Sequence, residues 1–152
     1  MMLPAYLGLL RKAEQELASS YRQVAEGHGA ELDVYHLCQT LAQQCDQHAR
    51  ALAPVTERYG ERLDDEPERF HSGGITSTRT GPVGLIRDLQ DLYILASLVD
   101  VTWMMVKQAA LALRDDQLVA IVGQCEAQIK VQLGWLTTRM KQAAPQALVI
   151  AK

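Results

Sequence analysis

Apolar residues recur every three or four positions through four long segments of the chain. This spacing is typical of an α-helix that buries one face against neighbouring elements. Glycine and proline residues stand at the ends of these segments, where helices commonly begin or stop. The pattern predicts four helices, over about 4–26, 31–59, 82–114 and 116–144, the last ending before Pro145.

Two residues carry more specific expectations about these helices. Asp115 precedes the fourth helix and is the predicted N-cap, because a short carboxylate side chain accepts hydrogen bonds from the first free N–H groups of a helix. Pro54 lies inside the second helix, where it removes one backbone hydrogen bond. We expect Pro54 to kink or break the last two turns of that helix.

The links between the predicted helices are short, long and short. The link over 61–81 has little periodicity and is long for a connection inside a compact domain. A helix of 30 residues is about 45 Å long, and 21 extended residues reach up to about 70 Å. The long link can therefore return along the whole bundle, so that helices two and three run parallel. The alternative is a flexible linker that joins two helical hairpins packed in another way.

Composition supports an all-α chain. Leu, Ala and Gln together supply 54 of the 152 residues, whereas only eight residues are aromatic. Good helix formers therefore dominate, and the residues that favour strands are too sparse for a β-sandwich or barrel. The length suits one domain over 1–152, and the apolar content is too high for a disordered chain.

Charge and cysteine content exclude several classes of function. The net charge is −3 with both signs scattered along the chain, so we expect no nucleic-acid partner. Purely apolar runs are much shorter than the roughly 20 residues that span a bilayer, so we expect no membrane segment. Three cysteines without a C-x-x-C spacing do not form a disulfide framework, and with no leader pattern they predict a cytoplasmic protein.

The inward positions of the four helices are apolar except near the midpoint of each helix. The exceptions are Glu14 in the first helix, Cys45 and His48 in the second, Asp100 at the edge of the third, and Gln128 and Gln132 in the fourth. Polar groups buried in one layer are costly unless they bond to each other or hold an ion. This layer is therefore the candidate functional site.

A one-crossover bundle with polar residues at mid-height resembles the ferritin-like superfamily. Members of that superfamily hold two metal ions between a Glu on each of two helices and a Glu-x-x-His on each of the other two. Glu14 matches the first Glu, Cys45 to His48 match Glu-x-x-His with Cys in place of Glu, and Asp100 matches the Glu of helix three. Helix four has no Glu-x-x-His.

The resemblance implies three alternatives for the layer. An intact site would hold two iron ions, or manganese and iron, and act as an oxidoreductase or in iron handling. A remodelled site would hold one iron, manganese or zinc ion on Glu14, His48 and Asp100, with Cys45 as a further candidate. A lost site would leave a hydrogen-bonded network in a structural or interaction protein. Because half of the expected ligands are missing, we expect a lost or remodelled site rather than an enzyme.

The end of the chain bears on association. Residues 146–151 form an apolar tail after Pro145 that is too short to be a stable helix alone. We expect the tail over 145–152 to pack on its own bundle or on a second copy, and we expect a homodimer.

Overall fold

A computed structural model describes residues 1–60 and 73–152. These residues form four long α-helices, which confirms the all-α four-helix prediction. The helices are α1 (Leu3–Gly27), α2 (Leu32–Tyr59), α3 (Gly81–Ala112) and α4 (Asp116–Pro145). One wider turn, Gln146–Ile150, continues α4.

The helix ends show how the four helices are arranged. Arg139 near the end of α4 binds Asp33 at the start of α2, so α2 and α4 are antiparallel. His28, just after α1, contacts Asp88 in the second turn of α3, so α1 and α3 are also antiparallel. Each helix packs on two neighbours, α1 and α4 both lying between α2 and α3.

The arrangement makes α2 and α3 parallel. α2 ends at one end of the bundle and α3 begins at the other, so the link between them spans the bundle length, as the long predicted crossover requires. Most of the predicted crossover over 61–81, namely 61–72, lies outside the described residues. Its final part is described and lies against α1.

Residues 73–80 are fixed to α1 by close contacts. The Ile75 N–H donates a hydrogen bond of 2.8 Å to Ser20 Oγ. A Cβ atom built on Gly27 would lie 2.1 Å from Thr78 Oγ1. Such a distance is impossible for non-bonded atoms, so glycine at position 27 is what lets this segment approach the helix.

The ends of two helices test the local predictions. Asp115 Oδ1 accepts a hydrogen bond of 3.1 Å from Leu118 N, which confirms the N-cap. α2 continues through Pro54 to Tyr59, so of the kink or break expected at this residue the break does not occur. The missing N–H removes one hydrogen bond, while buried Leu52 and Val55 hold the last turns on the core.

The end of α4 also differs from the prediction. α4 includes Pro145 instead of stopping before it, and the next turn widens until Ala151 N donates to Gln146 O over 2.8 Å. Pro145 is the last residue of α4, so its missing N–H costs one hydrogen bond of that helix and none of the wider turn that follows it. In the tail, Ala147 is buried, but Leu148, Val149 and Ile150 are exposed. The tail thus packs only in part on its own bundle.

α3 is apolar on both its inner and its outer face. By length and composition it could cross a membrane, with a mean hydropathy of 1.4 over its most apolar window, of which 39% is buried.

Candidate functional site

Glu14 lies at the centre of the bundle and has no solvent exposure. Its Oε1 accepts a hydrogen bond of 3.0 Å from Trp103 Nε1, and its Oε2 lies 3.1 Å from His48 Nδ1. The Trp103 and His48 rings meet edge to face with their centroids 6.3 Å apart. Each carboxylate oxygen thus has a buried N–H partner, one from α3 and one from α2.

His48 is held on both ring nitrogens. Its Nδ1–H donates to Glu14, and its Nε2 lies 2.6 Å from Gln128 Oε1 on α4. Both partners are acceptors, so this geometry fits an imidazole that carries a proton on each nitrogen. Burial alone would lower the pKa of His48, but the hydrogen bond to Glu14, the charge of Glu14 and the Gln128 contact together raise it above its usual value.

A second group of polar side chains lies beside the first, around Gln132. Gln132 Oε1 accepts a hydrogen bond of 3.0 Å from the Tyr21 hydroxyl, and Gln132 Nε2 donates to Gln44 Oε1 over 3.1 Å. The Cys45 thiol contacts the same amide at 3.8 Å. Gln132 is fully buried, and its hydrogen bonds join α1, α2 and α4.

The structure brings most of the predicted site residues together. Glu14 and His48 are in direct contact, and Cys45 lies in the same layer. Asp100 does not join them: it forms an ion pair of 3.2 Å with Lys130 at the surface between α3 and α4. Asp100 faces this surface because it lies at the edge of the inward face of α3, on the side towards α4.

The donor set does not fit a dinuclear carboxylate centre. Such a centre needs several carboxylates around two cations, whereas Glu14 is the carboxylate that the described residues place in the layer. No group of three or more His, Cys, Asp or Glu suited to a metal occurs within residues 1–60 and 73–152. A single ion would have to displace the proton that His48 donates to Glu14, since the two groups already satisfy each other.

The three cysteines are free and buried. Burial, with a smaller effect of Asp33, raises the pKa of Cys38 to about 12. Burial and the Glu14 charge raise the pKa of Cys125 to about 12 as well, and raise that of Cys45. A thiol at such a pKa is protonated at neutral pH, so it is a poor nucleophile and a poor metal ligand.

A second buried ion pair lies at the end of the bundle. Asp88 has no solvent exposure and accepts hydrogen bonds from the Arg79 backbone N–H at 3.0 Å and from Arg79 Nη1 at 2.7 Å. His28 Nε2 lies 2.7 Å from the same carboxylate. The cluster joins α1, the end of the crossover and α3.

This cluster was not among the sites predicted from the sequence, although the position of Asp88 indicates that its carboxylate is buried. Asp88 lies three residues after Leu85 and four before Leu92, on the inward face of an otherwise apolar helix. A carboxylate at such a position needs a buried partner. His28 carries no comparable signal, because it lies in a short turn between two glycines.

Comparison of the chain with models of known protein families, with curated proteins and with solved structures gives no match.

Proposed function

We propose that this protein is a ferritin-like bundle whose metal site is lost, and that it acts as a structural or interaction protein rather than as an oxidoreductase. The observation that carries the proposal is the pairing of Glu14. Both of its oxygens accept N–H bonds from buried side chains, and His48 makes a second bond to Gln128. The layer therefore needs no ion to balance its charges and dipoles.

The network gives the bundle a defined helix register instead of a reactive centre. Buried polar contacts favour one arrangement of helices over others, because a shifted register leaves donors and acceptors unpaired. Glu14, His48, Trp103 and Gln128 come one from each helix. The layer therefore sets the register of all four helices relative to one another. A fixed register suits a protein that presents a rigid surface.

Metal analysis tests the proposal. Protein purified without added metal is expected to contain much less than one equivalent of iron, manganese or zinc per chain. Adding each metal is expected to leave the melting temperature unchanged, because a ligand that binds only the native state must raise it. The Glu14→Gln, His48→Gln double variant is the matched control for metal bound at this layer.

Two results would overturn the proposal. Two equivalents of iron in the parent chain, lost in the double variant, would establish a di-iron protein and the oxidoreductase or iron-handling alternative. One equivalent of metal, with a melting temperature that rises only in the parent, would establish a single-metal binder. Cys45 and Asp100 would then be tested as further ligands by single alanine variants.

A further inference from the structure

Large apolar side chains on α3 and small residues on α4 share one outer surface of the bundle. On α3, Ile94, Val101 and Met104 are exposed to solvent by 68%, 43% and 52%. On α4, Gly123, Ala127 and Gly134 are exposed. Both sets follow a spacing of three, four or seven residues, which keeps each set on one side of its helix. We call these six residues the α3–α4 outer face.

We propose that the α3–α4 outer face binds a second copy of this chain, with a two-fold axis parallel to the helices. This arrangement lays α3 of each copy over α4 of the other. The proposal names the partner for the interaction role proposed above and rests on that role. Three features of the face support it: its glycines, its register and its charges.

Gly123 and Gly134 make no close contact with the described residues. Within residues 1–60 and 73–152, a Cβ atom built on either glycine would meet no atom within 4 Å. Glycine in the interior of a helix is less favourable than alanine, so two glycines in α4 are not explained by packing within these residues. A helix from another molecule that packs closely against α4 supplies a reason, since small residues let helices approach each other.

Two ion pairs fix which residues of α3 and α4 are level with each other. Asp100 pairs with Lys130, and Lys107 pairs with Glu126 at 3.7 Å. Met104 is therefore level with Ala127, and Ile94 is within about one turn of Gly134.

Rotation about a two-fold axis parallel to the helices leaves the height of every residue along the bundle unchanged, so residues that are level within one copy are also level between the two copies. Met104 then lies over Ala127 of the second copy, and Ile94 lies within about one turn of Gly134 of that copy. The face is thus complementary to itself, which is the requirement of a symmetric dimer interface.

The charges are complementary under the same symmetry. Asp100 of one copy is level with Lys130 of the second copy on the facing helix, and Lys107 is level with Glu126. Each acid can therefore meet a base of the other copy as well as its own. A lipid surface is less suitable, because these ion pairs and the exposed Gln108 and Gln124 lie on or beside the face.

The size of the face also suits a dimer. From Val83 to Leu111, both exposed, α3 extends roughly 40 Å, and two adjacent helices are about 20 Å wide. The product is about 800 Å² per copy, the size of a standard protein interface. The exposed residues Leu148–Ile150 lie in a turn that packs beside α3, so the tail extends the apolar area.

Light scattering coupled to size-exclusion chromatography tests the proposal over about 1 to 100 μM, where an interface of moderate affinity assembles. The parent chain is expected at twice its 16.9 kDa mass. Met104→Glu and Gly134→Leu are expected to give monomers with unchanged helix content by circular dichroism. Leu32→Glu is the control, because Leu32 is 67% exposed but lies on α2, and it is expected to remain dimeric.

A charge exchange separates contacts between copies from contacts within a chain. Asp100→Lys and Lys130→Asp are each expected to be monomeric, because each places like charges on the facing helices. An equimolar mixture of the two variants is expected to form a dimer, since opposite charges then meet at both facing positions. A pair that acts only within one chain cannot be restored by mixing.

A monomeric parent chain would overturn the dimer, as would a dimer that Met104→Glu does not weaken. A chain that floats with neutral phosphatidylcholine vesicles as a monomer would show that the face binds lipid instead. None of these results would alter the metal content, so the failure of this proposal is distinguishable from failure of the metal-free interpretation.

Discussion

Removing the Glu14 carboxylate tests the central network directly. In the Glu14→Leu variant, the Trp103 and His48 N–H groups that donate over 3.0 and 3.1 Å lose their acceptor inside the core. An unpaired buried donor costs about 1–3 kcal/mol, and breaking a buried ion pair about 3–5 kcal/mol. The larger apolar side chain offsets part of this loss. We expect a net decrease of about 3 kcal/mol in the free energy of unfolding.

The conservative variant Glu14→Gln is the control for side-chain size. Its amide oxygen can accept from Trp103, while its NH₂ group can donate to a neutral His48, whose Nε2–H still donates to Gln128. All groups remain paired and only the charge is lost, so we expect a decrease of about 1 kcal/mol. The order of stability is therefore parent, Glu14→Gln, Glu14→Leu.

Urea unfolding followed by circular dichroism at 222 nm measures these differences, and an unchanged slope with denaturant shows that the same surface unfolds in each variant. For a chain of this size, 3 kcal/mol lowers the melting temperature by about 6–12 °C. The Glu14→Leu, His48→Leu double variant is expected to lose about 1–2 kcal/mol less than the two single losses combined, because the residues are in contact. A Glu14→Leu protein as stable as the parent would refute the network.

The remaining predictions concern pH, close packing and thiol chemistry. The pKa of His48 is higher in the folded protein than in the unfolded chain. The contribution of protonated His48 to the free energy of unfolding is therefore complete below about pH 6.5 and decreases as the pH rises through the pKa of His48 in the folded protein. The difference in unfolding free energy between the parent and His48→Gln should therefore shrink from pH 6 to 9, and a constant difference would contradict the pairing. Gly27→Ala should destabilise the protein in thermal unfolding, because its Cβ would collide with Thr78. Adding Thr78→Gly should restore part of the loss, and a Gly27→Ala protein of full stability would count against the close approach. Cys38 and Cys125, whose pKa values are raised to about 12, should react with a thiol reagent at pH 8 only after unfolding in urea, and rapid labelling of the native protein would show that they are accessible.

The helices and their inward faces could be predicted from the amino-acid sequence alone. Apolar spacing predicted which side of each helix is buried, because that spacing follows directly from 3.6 residues per turn. Leu10, Leu92 and Ile129 lie on these apolar faces and are all buried. The spacing is less reliable at helix ends: Leu113 continues the spacing of buried Val106 and Ala110 but is 44% exposed. An end residue has fewer neighbours to bury it.

The sequence also located the polar layer. Glu14, Cys45 and His48 interrupt apolar faces at similar heights, and the structure places them in one layer. Apolar spacing does not distinguish a metal site from a hydrogen-bonded network in this layer. The choice between a metal ligand and a paired side chain depends on which partners each atom has, and spacing along one helix does not give partners on other helices.

Those partners depend on how the helices pack against each other. Trp103 fits the apolar stripe of α3, and only the packing of α3 on α1 brings its N–H to Glu14. Asp100 is close to the same height but is turned towards Lys130, because the direction of a side chain depends on how its helix is rotated in the bundle. Sequence periodicity fixes what a helix buries, whereas the relative rotation of packed helices fixes which buried polar atoms meet.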